Sequence, residues 1–547
     1  MAASLFVTNI ASAATPPDSG SAIDQVNQSQ APPQVKKPDE VQVQTPSPPT
    51  PNGNNTKIHV NGFRITGETP RPEKELLDLI KDKTNQDLIL GDLYNIADRI
   101  TQYLRQKGYL VAFAYIPAQS IADGVVNIAV VPGKFGAAHF NNKARIRTER
   151  LEQMVSSLKP GSIITQSSLE RVLLLLNDLS GIRIKATLAP GEAPGTADLI
   201  LNVEDAAKIT GAVNGDNGGN ASTGRVIGGI QVTVNNMSHT GDELSFAGMA
   251  SGQGLKDGDL VYSMPVGHDG LRMTLNYSYV NYKLGNDFAD LDASGWAHVL
   301  TWNWRYPFIR SRNASLYGTI GLESKGLTDR IGVADLDSTR SESLLTLGMN
   351  ADVFDRWLGG GYSTYSLVGS YGKVKINNAD AARTDAETAQ TAGYFEKLNL
   401  GYTRLQYLAK DLTLNIRFKG QLAESNLDSA EKFFLGGADG VRAYDQGTGS
   451  GDTGELLSTE LRWRVASSQS GMNDLYLTTF IDAGHVQVNK EPWPGCGDNT
   501  ETLRSLGIGF IWTYQKFSFQ CDYAEGIGDN PYKNDDSHVW ARFVAYF

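Results

Sequence analysis

The sequence predicts two α+β repeats followed by an all-β barrel of about sixteen antiparallel strands. Three observations carry that expectation. The order strand, helix, helix, strand, strand occurs across residues 57–133 and again across 134–207. From residue 208 onward helical spacing gives way to segments of about ten residues that alternate apolar and polar side chains between Gly, Asn, Asp and Ser turns. No run of eighteen apolar residues occurs, which counts against a membrane-spanning helix and leaves alternating strands untouched.

Composition sets the outer limits. A chain of 547 residues holds more than one domain. Its formal charge of -11 argues against a nucleic-acid partner, because phosphate is met by basic surfaces. Cys496 and Cys521 are too few for a disulfide scaffold and lack metal-ligand spacing. One bridge between them stays open in an oxidising compartment, although Cys521 falls on the outward face of its strand.

Residues 1–14 are mildly apolar and end in Ala11-Ser12-Ala13, which fits the cleavage site of a signal peptide that is short and lacks a basic start. A terminus without fixed structure is the alternative. Residues 15–56 carry nine of the 21 prolines and no aromatic side chain, so they read as a linker.

In the first repeat, a strand at 58–65 precedes a helix at 73–81. A second helix places Leu93, Ile96, Ala97, Ile100 and Leu104 on one face, and strands follow at 110–116 and 125–131. The second repeat has a strand around His139 and a helix through Leu151, Met154, Val155 and Leu158. Its next helix opens on a Ser167/Glu170 capping box, before strands at 182–188 and 199–203.

In the barrel region, Leu457, Leu461, Trp463 and Val465 alternate with Ser458, Glu460, Arg462 and Arg464. Leu412, Leu414, Ile416 and Phe418 alternate with Thr413, Asn415, Arg417 and Lys419. One face suits lipid and the other a polar lumen. Some 340 residues hold sixteen strands at roughly 21 residues per strand and connection. An even count puts both barrel ends on one side and sends the 424–452 and 488–501 loops to the other.

One loop stands out. Gly436, Gly437 and Gly440 surround the turn before Val441-Arg442-Ala443-Tyr444, as in a constrained loop that aims a single side chain. Forty residues later comes Phe480-Ile481-Asp482-Ala483-Gly484, with Asp482 on the polar face of its strand. Arg442 and Asp482 are suited to a charge-assisted, bidentate pair.

These two motifs resemble the Val-Arg-Gly-Tyr loop and Phe-x-Asp-x-Gly strand of outer-membrane barrels that carry periplasmic POTRA domains, with Ala443 in place of the usual Gly. Gly108-Tyr109, Ile116-Pro117-Ala118-Gln119, Asp123-Gly124 and Leu188-Ala189-Pro190-Gly191 resemble the POTRA domains of two-partner secretion transporters (the haemolysin-secretion, or TpsB, type). The terminal strand 539–547, ending in Phe547, resembles the signal read by the barrel-assembly machinery.

The resemblance implies an outer-membrane protein of a Gram-negative bacterium, with POTRA domains at 57–133 and 134–207 in the periplasm and a barrel at 208–547. It also allows a short helix near 22–30 that plugs the barrel. Such a transporter exports one partner exoprotein, an adhesin, cytolysin or toxin, by its N-terminal secretion domain and without ATP. Lipid surrounds it, and the assembly machinery and periplasmic chaperones serve its biogenesis.

Val441, Arg442, Tyr444, Gly440, Phe480, Asp482 and Gly484 are then the loop-docking residues, and Arg417, Lys419, Glu460 and Arg462 line the lumen. The edge strand with Ile182, Ile184, Ala186 and Leu188 is the candidate cargo acceptor by β-augmentation. No catalytic, metal or cofactor constellation is expected. Gly449-x-Gly451-x-x-Gly454 precedes a strand where a nucleotide fingerprint opens a helix. A barrel-assembly factor and a porin-like channel or receptor are the rival readings.

Overall fold

A computed structural model describes residues 16–29, 42–43, 56–121, 123–467, 473–528, 532 and 537–547. The expected signal peptide lies outside them. In the first α+β unit, strand Gly62–Gly67 runs parallel to Val125–Val131, which pairs antiparallel with Phe113–Tyr115. Helices Glu73–Ile80 and Leu90–Gln106 press Leu76, Ile80, Leu93, Ile96, Ile100 and Leu104 onto that sheet. The single strand expected at 58–65 breaks at Asn61, where the backbone N–H groups of Asn61 and Gly62 both turn to the Gly124 carbonyl. A short strand, Gln86–Leu88, pairs with Ile58–Val60 and had no periodicity to reveal it.

The second unit follows the same order. Strands Lys134–Asn142, Thr196–Asp205 and Ile182–Pro190 form its sheet, covered by helices Thr148–Val155 and Gln166–Asn177. The expected Ser167/Glu170 capping box does not form. Thr165 caps that helix by accepting from the Ser168 N–H at 3.2 Å, and Glu170 instead accepts from the Arg312 N–H on the barrel.

That contact belongs to a joint. Arg310 grips Asp178 through two bonds of 2.7 and 2.9 Å, Arg171 donates to the Pro307 carbonyl at 2.9 Å, and Ser180 donates to Glu243 at 2.6 Å. The second unit is thereby seated on turns at one end of the barrel.

Sixteen antiparallel strands, from Ile209–Asp216 to Ser537–Tyr546, close the barrel. Closure rests on a short seam, Ala212↔Tyr546 through Asp216↔Arg542. The Phe547 N–H donates to the Gly211 carbonyl at 3.0 Å, so the chain ends at the rim that carries the α+β units. The alternation sorts faces as expected: Trp463, Ile481 and Ile508 are 56, 61 and 63 % exposed on the outer wall, while Glu460 and Asp482 are buried inside.

Within the proline-rich stretch read as linker, where the resemblance allowed a short helix near 22–30, a helix, Ser19–Ser29, lies in the lumen. Ala22 and Val26 seat it on Val280, Tyr282, Ala297 and Leu327. Further along the same stretch, Gln42–Val43 adds a parallel strand beside Thr187 and Leu188. Both cysteines are free: Cys521 pairs across the ladder with the outward Phe510, while Cys496 sits in the 488–499 loop.

Candidate functional site: the lumen and its two occupants

The loop joining strands Leu412–Ala423 and Thr453–Ser467 dips back into the barrel. Phe433–Phe434 pairs with Ser450–Gly451 to form its stem. At its tip Gly437 takes φ +118°, whereas Gly436 and Gly440 are needed for space: a Cβ on Gly440 would lie 2.0 Å from the Leu435 carbonyl oxygen. Only one of the three glycines thus serves a left-handed turn.

The turn delivers Arg442 to the barrel wall. Its Nε donates to Asp482 Oδ2 at 2.9 Å and a terminal nitrogen donates to Oδ1 at 2.9 Å, a fork-on-fork pair. The other terminal nitrogen donates to Glu460 at 2.7 Å and stands 3.5 Å from Asp522. Ser458 and Ser505 donate to Asp482 at 2.8 and 3.0 Å, and Trp540 Nε1 donates to the Arg442 carbonyl. The guanidinium carbon lies 3.2 Å from the centre of the Phe480 ring.

The pair is withdrawn from solvent: Arg442 is 3 % exposed and Asp482 0 %. Val441, Tyr444, Leu435, Leu456 and Phe480 close an apolar shell over the charges. Gly484 lets that shell close, because a Cβ there would meet Leu435 at 2.6 Å. The loop is a dry anchor, with each carboxylate oxygen of Asp482 hydrogen-bonded.

Of the lumen residues expected from alternation, Glu460 belongs to the Arg442 cluster, and Arg462 supports it by donating to Glu460 at 2.7 Å. Arg417 and Lys419 face a separate cavity beside the helix. Asp522 and Trp540 escaped the sequence reading, and Ser458 and Ser505 were not assigned to the anchor. They sit at inward positions of their strands, yet only the cross-strand register shows that these converge on one arginine.

The helix has its own seat. Asp329 accepts from the Ser19 N–H at 2.9 Å, the Ser19 hydroxyl at 3.0 Å, Tyr282 at 2.6 Å and Arg340 at 2.6 Å. Thr223 donates to Gln25 at 2.9 Å. Gly20 allows close approach, since a Cβ there would lie 2.5 Å from the Ala430 nitrogen. Deeper in the wall, Lys325 is enclosed by Glu323, Glu342 and Glu431.

The candidate cargo strand needs a further correction. Ile182, Ile184, Ala186 and Leu188 point into the core of the second unit, 1–7 % exposed, and offer no side chain to a ligand. Alternation is responsible: residues whose pattern identifies the strand are the ones it buries.

The family described as haemolysin secretion/activation protein ShlB/FhaC/HecB matches residues 195–509, more than half of the chain, and a POTRA domain of ShlB type matches residues 58–133. This chain belongs to that family. The transporter is 28 % identical over 485 residues, 86 % of its length and 84 % of the relative's, to the heme/hemopexin transporter protein HuxB of Haemophilus influenzae. It is 25 % identical to the outer membrane transporter CdiB of Dickeya dadantii, covering 74 % of this chain and 71 % of that one.

Among solved structures, CdiB from Escherichia coli shares the fold with a TM-score of 0.72 at 20 % identity, over 92 % of this chain and 93 % of that one. BamA from Haemophilus ducreyi reaches a TM-score of 0.57 at 16 % identity, over 89 % and 100 % of the two chains. The protein is accordingly an outer-membrane transporter of a partner exoprotein, with its POTRA region in the periplasm.

Proposed function

We propose that residues 57–133 and 134–207 are two POTRA domains that receive the secretion domain of an unfolded exoprotein and feed it through the 208–547 barrel without ATP. The observation that carries this reading is where the acceptor strand begins. Strand Ile182–Pro190 starts immediately after the Asp178 and Ser180 joint, at the barrel rim. An extended chain added along its outer edge would enter the barrel mouth directly.

Recognition would come from backbone hydrogen bonds, with specificity from the outward side chains Arg183, Lys185 and Thr187. Gln42–Val43 covers only the Thr187 and Leu188 end of this edge, so cargo would add along 182–186 or displace the short strand. Folding of the cargo outside would supply the drive. The helix would have to leave the lumen, while the Arg442 loop would stay as a fixed part of the wall. The cargo would be a large adhesin, cytolysin or toxin, and assembly machinery, chaperones and lipid would act in biogenesis.

The test is secretion of the exoprotein encoded beside this chain, with and without residues 57–204. Cargo in the medium only when both barrel and those residues are present supports the reading. Cargo in the medium regardless, with other barrels failing to assemble in cells lacking the protein, would replace it with the assembly-factor reading.

A further inference from the structure

The lumen wall is polarised in charge. Strands Gly393–Ala409 and Leu412–Ala423 turn Lys397, Arg417 and Lys419 inward, and Arg542 and Lys432 face the same cavity of about 580 Å³. The helix closes one side of it with Asp24 and Gln28.

Two of these five cations are already matched. Lys397 meets Glu431 at 2.7 Å and Lys432 meets Asp452 at 2.7 Å. Arg417 and Arg542 share Asp439 at the longer distances of 3.6 and 3.5 Å. Arg542 also reaches Asp216 at 3.9 Å. Arg417 Nε is buried without a hydrogen-bond partner. Lys419 forms no ion pair within 4 Å among the described residues, although Asp24 and Asp439 both lie within its electrostatic reach.

The acidic group opposite is Asp24. It is held by two neutral amides, accepting from Gln28 at 2.8 Å and Gln446 at 3.0 Å. The helix therefore presents a carboxylate to a basic wall without binding it in a salt bridge. When the helix leaves, that carboxylate leaves with it, and the wall keeps Asp439 as its nearest counter-charge.

We propose that Lys419, Arg417 and Arg542 form a carboxylate-binding station in the lumen, faced by Asp24 at rest and occupied by acidic side chains of the polypeptide in transit. This rests on the transport reading. A guanidinium and an ammonium side by side suit a carboxylate, the first by its planar fork and the second as a mobile point charge. Binding must be weak and repeated for a chain to move on, which a partly solvated, salt-screened cluster provides.

The test uses the chain lacking residues 19–29 in planar bilayers, with heptaglutamate, heptalysine or inorganic phosphate added from the POTRA side. Heptaglutamate is expected to block at a concentration at least tenfold below heptalysine, and phosphate at matched charge, too small to occlude the lumen, to block less than heptaglutamate. Lys419→Gln with Arg417→Gln should raise the half-blocking concentration of heptaglutamate at least fivefold. Arg305→Gln, elsewhere on the barrel wall, should not. Heat-modifiable gel migration identifies folded variants.

Equal block by the two peptides, equal block by phosphate, or an unchanged double variant would overturn the station. Block needs no cargo, so a barrel that secretes but is blind to peptide charge refutes this inference alone. A barrel that never secretes refutes the transport reading.

Discussion

The lumen holds two occupants that differ in how they are held. The 424–452 loop buries Leu435, Val441, Ala443 and Tyr444 with wall residues Leu456, Phe480 and Leu503, and it places one arginine among four oxygen-bearing side chains of the wall. The helix Ser19–Ser29 fully buries only Ala22 and Val26 among its apolar side chains and relies on hydrogen bonds at Ser19, Asp24 and Gln25. Burial of apolar area and of a satisfied ion pair fixes one, while polar contacts that water can replace hold the other. The difference teaches which piece belongs to the wall and which to the gate.

The largest effect should come from breaking the loop. Arg442→Ala leaves Asp482 and Asp522 buried without their cation and Glu460 with Arg462 alone, which costs about 3–5 kcal/mol for a pair so desolvated. Secretion should fall to background while the barrel still assembles, as measured by cargo in the medium and heat-modifiable migration. Secretion at the parent level would show that the docked loop is not needed for transport.

Next in size is removal of the helix. Deleting residues 19–29 should raise single-channel conductance several-fold yet shift the thermal unfolding of the barrel by only a few degrees. A conductance unchanged by the deletion would mean the helix does not occlude the lumen.

Much of this contrast was legible in the sequence, for unequal reasons. Period-two alternation around Trp463 and Ile481 predicted the wall, and the Arg442 loop with Asp482 predicted the anchor. The helix was legible only through the resemblance, because its apolar face is two residues deep and the prolines around it argue for linker. The partners Asp522 and Trp540 were hidden because alternation gives a face but not a register. The burial of Ile182 and Leu188 was legible too, but a strand pattern was read as a contact surface.

A smaller effect tests the short added strand. Proline at both Gln42 and Val43 removes two backbone donors, so the pairing with Thr187 and Leu188 should be lost. A secretion-domain fragment should then bind the periplasmic region a few-fold more tightly, measured by titration calorimetry. Unchanged affinity would show that cargo does not use this edge.

The smallest effect concerns pH. The Arg145 backbone N–H, and then its guanidinium, hold the Asp205 carboxyl below its ordinary range. A group whose folded pKa is lowered contributes stability above its unfolded value, near 3.9, and loses it as pH falls through the folded value. Asp205→Asn should therefore lower the melting temperature slightly at pH 7 and converge with the parent as pH falls through the folded value.

The most direct measurement of the central claim compares two tethers in a background with both native cysteines replaced by serine. Gln25→Cys with Thr223→Cys, joined by a short thiol cross-linker, holds the helix to the wall. Asp445→Cys in the loop with His538→Cys on the wall, whose side chains meet at 2.8 Å, holds the loop to the wall. The account predicts that the helix tether stops secretion until it is cleaved, while the loop tether leaves secretion intact. Secretion through a tethered helix, or its loss when only the loop is tethered, would contradict the division into gate and wall.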